Sequence, residues 1–311
     1  MLRSIRTLTS LSLAVLLAAC GGGASTAPTT GPTTQASQVA SLAPTSEPTL
    51  NACAANSLAT LAVGKLTIGA DNPAYPPYFQ PDDVKPADSP WELGDPTNGK
   101  GLEAATAYAV ADHLGFGASN VVWAPVPFNS AIQPGPKAFD LYLTQVSYSA
   151  ERAQAVDLSD GYFDLNQAVV GLSDDGIAQV TTVAGLAAFK LGAPVGTTSY
   201  KYITDNIHPT QDPAVYDTLD AGVAALQAKQ IDGLVVDLPT AFYMRDAQLT
   251  GGVIVGSLPT AGDVEHFSIV LTKGSALTAC VNQALAAMKA DGSLAAIVQQ
   301  WITSQGAPEL K

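Results

Sequence analysis

From about residue 58 onward, short runs rich in β-branched and aromatic residues alternate with runs whose apolar residues recur at helical spacing. Alternation of that kind yields an α/β fold, largely parallel sheets covered by helices. Candidate strands lie at 66–70, 121–126, 139–146, 167–172, 193–196, 233–236, 253–256 and 268–271. Helical spacing is clearest at Ala104, Ala107, Tyr108, Ala111 and Leu114, with Gly115 placed as a C-terminal cap. Near the C-terminus Ser275 is placed to cap a helix burying Leu277, Val281, Ala284, Leu285 and Met288. After Gly292 a last helix would bury Leu294, Ile297, Val298, Trp301 and Ile302. A polar, proline-rich stretch at 76–101, centred on Trp91, is long for an unstructured connection. It is either a surface insertion packed down by Trp91 or a loop that roofs a pocket.

What precedes this region directs the chain rather than folding. Arg3 and Arg6 form a basic start, residues 11–17 an apolar run, and small residues precede Cys20, which together make an export signal. Leu17-Ala18-Ala19-Cys20 resembles a bacterial lipobox, which implies a signal peptide over 1–19, palmitate-type acylation of Cys20 and a membrane-anchored, extracytoplasmic lipoprotein. The apolar run is shorter than the ~20 residues that span a bilayer. Residues 21–51 are mostly Gly, Ser, Thr, Ala, Pro and Gln with Glu47 the one charge, so a disordered tether is expected over 20–57.

The formal net charge of −13 becomes −15 once Arg3 and Arg6 leave with the leader, and so acidic a surface repels phosphate backbones. No nucleic-acid partner is expected. With Cys20 set aside, Cys53 and Cys280 are an even pair in an oxidising compartment, where a disulfide is the expected use. His113, His208 and His266 show no ligand spacing with them, so neither a metal nor another cofactor is expected.

The segment Ile68-Gly69-Ala70-Asp71-Asn72-Pro73-Ala74-Tyr75-Pro76-Pro77-Tyr78 resembles the opening strand and loop of the polar-amino-acid solute-binding proteins, family 3. Further segments follow in that family's order: Gly101-Leu102-Glu103, Pro127-Phe128-Asn129, Phe139-Asp140, Ser147-Tyr148-Ser149-Ala150-Glu151-Arg152, Gln167-Ala168, Val195-Gly196-Thr197-Thr198, Gln230-Ile231-Asp232-Gly233 and Val236-Asp237. The resemblance covers about 60–305. It implies a type II periplasmic-binding fold of two α/β lobes joined by two hinge strands. Lobe one would hold 58–166 and 264–311, lobe two 167–263, and both Cys53 and Cys280 would fall in lobe one.

The resemblance also implies a substrate-binding component of an ABC transporter. It would bind a small amino-acid-like ligand between the lobes as a monomer and deliver it to a permease. An α-amino acid presents a carboxylate and an ammonium, so its receptor needs a fixed cation and a fixed anion. Arg152 matches the family's carboxylate-gripping arginine, whose planar fork makes two parallel bonds, and Asp237 matches the acid that takes the ammonium. Taken singly, either residue reads more readily as a solvated surface charge, and its place in a family motif reverses that. Thr198 and its turn would complete the carboxylate site from lobe two, and Ser147 would add a hydroxyl or else cap the next turn. Tyr75 and Phe128 correspond to aromatic residues that sandwich the ligand side chain, against a plain packing role. Asp71 and Gln145 are the positions for side-chain selectivity. Asp71 either attracts a cation or caps its loop, and Thr144-Gln145-Val146 departs from the small residue usual before the Ser of the arginine motif.

Two other classes compete with this reading. An enzyme on the same fold, a dehydratase or lyase, needs an acid or base over a scissile bond, and Glu103 is the acid to consider. No Gly-x-Ser-x-Gly elbow, zinc motif or phosphate loop occurs. A ligand-presenting sensor protein is the other alternative.

Overall fold

The computed structural model describes residues 53–302 and 306–311. The leader, Cys20 and nearly all of the tether therefore lie outside the described residues. The described strands are β1 (Leu66–Ala70), β2 (Val121–Pro125), β3 (Leu141–Tyr142), β4 (Asp157–Leu158), β5 (Phe163–Leu165), β6 (Gln167–Leu172), β7 (Leu191–Pro194), β8 (Ala214–Tyr216), β9 (Gly233–Asp237), β10 (Gly252–Ser257), β11 (Glu265–Phe267) and β12 (Val270–Leu271). The helices are α1 (Leu102–His113), α2 (Phe128–Ala131), α3 (Arg152–Ala155), α4 (Thr198–Tyr202), α5 (Leu219–Gln227), α6 (Leu238–Tyr243), α7 (Leu277–Ala290) and α8 (Ser293–Trp301).

The strands form two five-stranded sheets, ordered β2-β1-β3-β12-β4 and β10-β6-β9-β7-β8. Each defines a lobe. Both sheets are mixed rather than largely parallel: β1 runs parallel to β2 and β3, and β7 to β8 and β9, while β12 and β6 each pair antiparallel with both neighbours. The physical reason lies in the crossings. Strands that enter or leave a lobe at the hinge join its sheet without the crossover helix that a parallel neighbour requires. The hinge itself is the short antiparallel ladder of β5 and β11, with Glu265 opposite Leu165 and Phe267 opposite Phe163.

In lobe one, α1, α7 and α8 cover one face of the sheet, packing Ala104, Ala107, Ala111, Val281, Leu285 and Met288 against Leu66, Ile68 and Leu141. The expected stripe of α7 is buried throughout, and Ser275 Oγ accepts from the Leu277 amide, the anticipated cap. Along α8 Leu294 is buried, and Ile297, Val298, Trp301 and Ile302 are half-buried against the same core. Glycine is required at Gly101, where φ is +108° and a Cβ would lie 2.3 Å from the Tyr78 carbonyl oxygen. Lobe two carries apolar clusters on both sheet faces, one with α5 and α6 and the other around Leu191, Ile203 and Val255.

Cys53 and Cys280 form a disulfide that closes onto lobe one's core. Trp91 is buried in that core too, and no residue of 76–101 lines the cavity that holds Arg152 and Asp237, while Pro76 and Pro77 line a second cavity with Leu238, Pro239 and Phe242. Asp95 orders the 76–101 stretch by accepting from the Thr97 amide and hydroxyl and from Ser89 Oγ.

Two further expectations are corrected. The strand expected over 139–146 pairs only at Leu141–Tyr142. Asp140 turns its carboxylate onto the Leu61 and Thr67 amides, and Gln145 at φ +43° takes the backbone out of any ladder. The C-terminal end of 264–311 does not stay with lobe one. Residues 306–311 lie on lobe two, where the Ser257 amide donates to Pro308, the Leu310 amide donates to Ser257, and the Val183 amide donates to Lys311. The Leu310 side chain is buried in lobe two's core, and this burial is what holds the tail there.

Candidate functional site between the lobes

Parallel strands deliver their C-terminal ends to one edge of a sheet, and loops at that edge form sites. Here the edges of both sheets face each other across a cavity of about 380 Å³. Lobe one contributes Asp71 and Tyr75 from the loop after β1, Phe128 from α2, Gln145 from the loop after β3, and Arg152 at the start of α3. Lobe two contributes Thr198 from α4 and Asp237 from the end of β9. Ser147 is the one expected residue set back from the cavity. It is buried, and its hydroxyl accepts from Thr198 Oγ1 at 3.4 Å.

The lobes touch directly. Arg152 Nη2 donates to the Gly196 carbonyl at 2.8 Å and Nη1 to the Ser147 carbonyl at 2.6 Å, while its guanidinium sits 5.4 Å from the centre of the Phe128 ring. Tyr78 and Thr240 share a buried hydroxyl bond of 3.1 Å between the lobes. Glycine is needed at Gly196, whose φ is +74° and whose Cβ would approach Asn129 Oδ1 to 2.7 Å. The Gly196 turn then leads into α4, where Thr197 Oγ1 caps by accepting from the Tyr200 amide.

The ionisable groups here are perturbed by enclosure. Burial lowers the Arg152 pKa, opposed by the carboxylates of Asp237 and Glu265. Burial pushes Asp237 up to about 8, helped by Glu265 and opposed by the Gln167 hydrogen bond and by Arg152. Asp237 is half-buried by surface because its carboxylate faces the cavity. Asp71 is raised by burial and opposed by the Asn72 amide, which donates to its Oδ1 at 2.8 Å. Tyr75 is raised by burial and by the nearby Asp220 carboxylate.

Residue-level reading missed three contributors. Gln167, at the start of β6, donates from Nε2 to Asp237 at 2.7 Å and to Glu265 at 3.0 Å, and its Oε1 accepts from Ser199 at 2.6 Å. One amide thus orients the acid and ties it to the hinge. Asp217 and Thr218 line the cavity at the β8-to-α5 turn. The capping pattern Thr218-Leu219-Asp220 before an apolar run was the available signal there. Glu103 lies fully buried outside the cavity, accepting from Tyr162 Oη at 2.5 Å and from the Gln145 amide at 2.6 Å. Among the described residues, no group of three His, Cys, Asp or Glu is placed to hold a metal ion, and no helix is long and apolar enough to cross a membrane.

A two-lobed frame with a charged cavity fits what comparison with known proteins adds. The model of bacterial extracellular solute-binding proteins, family 3, matches residues 67–304. The chain belongs to that family. Among its relatives, the L-cystine-binding protein TcyJ of Escherichia coli (strain K12) is 28% identical over 242 residues, which is 76% of this chain and 82% of that one. The arginine-binding extracellular protein ArtP of Bacillus subtilis (strain 168) is 26% identical over 221 residues, 70% of this chain and 83% of that one. Among solved structures, an ancestral arginine-binding protein bound to glutamine superimposes with a TM-score of 0.61 at 25% identity, covering 77% of this chain and 98% of that one. A cysteine-binding protein from Campylobacter jejuni shares the fold, with a TM-score of 0.63 at 20% identity over 80% of this chain and 93% of its own. The two solved structures share the two-lobed type II architecture described above.

Proposed function

We propose that this family member is the substrate-binding component of an ABC importer, taking up a small α-amino acid between its lobes and delivering it to a permease. One observation carries the reading: Arg152 and Asp237, from opposite lobes, line one cavity. An amino-acid head group pairs its carboxylate with the guanidinium fork and its ammonium with the acid. The relatives named for cystine, arginine and amino-acid binding support the same class. Asp71, Tyr75, Phe128, Gln145 and Thr198 would contact the rest of the ligand, with Ser147 supporting Thr198 from behind.

In this reading the protein is a monomeric binder and not an enzyme. Glu103, the acid a lyase or dehydratase would need, is spent on Tyr162 and Gln145 and does not face the cavity. Ligand entry requires the Arg152–Gly196 and Tyr78–Thr240 contacts to open and re-form, so the mechanism is hinge closure about β5 and β11. Lipid anchoring at Cys20 would hold the receptor beside its permease, and a Cys20→Ala chain should lose both palmitate labelling and membrane attachment.

The deciding experiment is a thermal-shift screen of the twenty amino acids followed by X-ray scattering. A ligand that binds the folded form raises its apparent stability by mass action, and closure should shrink the scattering radius. A confirmed ligand that leaves scattering unchanged would remove the closure mechanism. No response to any amino acid would remove the amino-acid reading.

A further inference from the structure

Among the described residues the chain passes between the lobes at the hinge strands β5 and β11, and residues 306–311 add a further crossing. Helix α8 belongs to lobe one, where Trp301 and Ile302 pack against the core. The same two residues line a cavity of about 540 Å³ together with Leu238, Pro239 and Phe242 of lobe two. The chain therefore leaves lobe one at the boundary between the lobes.

Its next described residues are fastened to lobe two. They lie along β10, the edge strand of that sheet, with Glu309 bridged to Ser257 in parallel register. The Ser257 amide donates to the Pro308 carbonyl at 2.7 Å, and the Leu310 amide donates to the Ser257 carbonyl at 3.0 Å. On the other side Lys311 donates to the Thr181 carbonyl at 3.1 Å and accepts from the Val183 amide at 2.9 Å. Ala307 packs against one apolar cluster of lobe two, and Leu310 is buried in the other. Gly256 makes the room, since a Cβ there would lie 2.6 Å from Leu310 Cγ. These four backbone bonds and the buried leucine make an anchor, and they cover a strand edge that would otherwise be open.

Little chain separates the anchor from lobe one. Between Ile302 and Gly306 there are residues 303–305 and no more, so those two Cα atoms stay within about 14 Å of each other however the lobes move. A hinge rotation that carried the anchor farther from α8 would have to pull Leu310 out of its core. A short link also keeps the surfaces it joins at high effective concentration. Here those surfaces meet through the Arg152–Gly196 and Tyr78–Thr240 bonds.

We propose that the 306–311 segment is a strap that limits how far the lobes open about β5 and β11, holding the ligand-free protein near the arrangement in which the lobes touch. The strap does not depend on which ligand the cavity takes.

The test slackens the strap and spares its anchor, by inserting about eight Gly and Ser residues, a flexible coil, between Ile302 and Gly306. Nitroxide labels on Val122→Cys in β2 and Val215→Cys in β8, both exposed and on edge strands of opposite lobes, report the lobe separation by electron–electron resonance. Cys20→Ala in the same chain confines labelling to the two new thiols. Without ligand, the insertion variant should populate lobe separations that the parent does not reach, at an unchanged melting temperature. Leu310→Ala should widen the distribution too, and it should also lower the melting temperature because it empties a buried site. If the segment merely completes the core of lobe two, the folded insertion variant keeps the parent distribution, which overturns the proposal whatever Leu310→Ala does. Should the insertion variant not fold, Leu310→Ala decides below its melting transition: a widened distribution supports the strap and an unchanged one overturns it.

Discussion

Arg152 Nη2 bonds the Gly196 carbonyl oxygen across the cleft at 2.8 Å, so the guanidinium that faces the cavity is also a direct link between the lobes. Two of its five N–H groups go to backbone carbonyls, leaving the rest for a ligand carboxylate. Truncating one partner of a desolvated charge pair costs about 2–5 kcal/mol. Arg152→Ala and Asp237→Ala should therefore each weaken the cognate amino acid by at least about thirtyfold in calorimetry. Arg152→Lys should also bind poorly, because an ammonium keeps the charge and loses the planar fork. Near-normal affinity in both folded alanine variants would place the ligand elsewhere.

Ligand binding should release a proton near neutral pH. Without ligand, burial and Glu265 hold Asp237 at about 8, largely protonated at pH 7. A ligand ammonium favours the carboxylate, so binding must expel the proton and affinity should fall as pH drops below about 8. Calorimetry in buffers of different ionisation enthalpy measures this directly. Release of no protons at pH 7, with Asp237→Asn behaving like the wild type, would contradict it.

Stability of the ligand-free protein should decline between pH 5 and pH 8.5. Asp237 is raised from 3.8 to about 8 and Glu103 from 4.5 to about 7, both chiefly by burial. The folded chain thus holds more protons than the unfolded chain across that interval, and stability falls wherever this is so. The contribution of these two groups is full below the unfolded-state values and is lost as pH rises through the folded ones. Melting temperatures across pH for wild type, Glu103→Gln and Asp237→Asn check this, each substitution being expected to flatten the decline.

The disulfide should matter for stability and little for binding. Cys53 and Cys280 lie 227 residues apart and neither lines the cavity. Removing such a crosslink costs about 2–5 kcal/mol. Paired Cys53→Ala and Cys280→Ala substitutions should lower the denaturant midpoint while ligand affinity stays within about threefold. Free thiols at both positions in exported protein would remove the bridge.

Much of this molecule was legible in its sequence because local chemistry repeats. The strands at 66–70, 121–126, 167–172 and 233–236, the α7 stripe with its Ser275 cap, and the paired cysteines follow from side-chain periodicity, capping and compartment. Motif order then identified the residues to watch, and the cavity gathers Arg152, Asp237, Thr198, Tyr75, Phe128, Asp71 and Gln145. These readings needed only neighbours in the chain or a known family pattern.

Contacts between distant segments were decided by the tertiary structure. Sequence spacing does not say that Gln167 bridges Asp237 and Glu265, or that Glu103 reaches Gln145 from 42 positions away, because each bond joins segments that only the packed sheets bring together. The same holds for residues 306–311, whose few side chains carry no periodic signal. Their place on lobe two depends on one leucine, Leu310, meeting a gap beside Gly256 that exists only after the sheet has formed. The pKa values of Asp237 and Glu103 belong to this second group as well, since burial raises them and burial is a property of the fold.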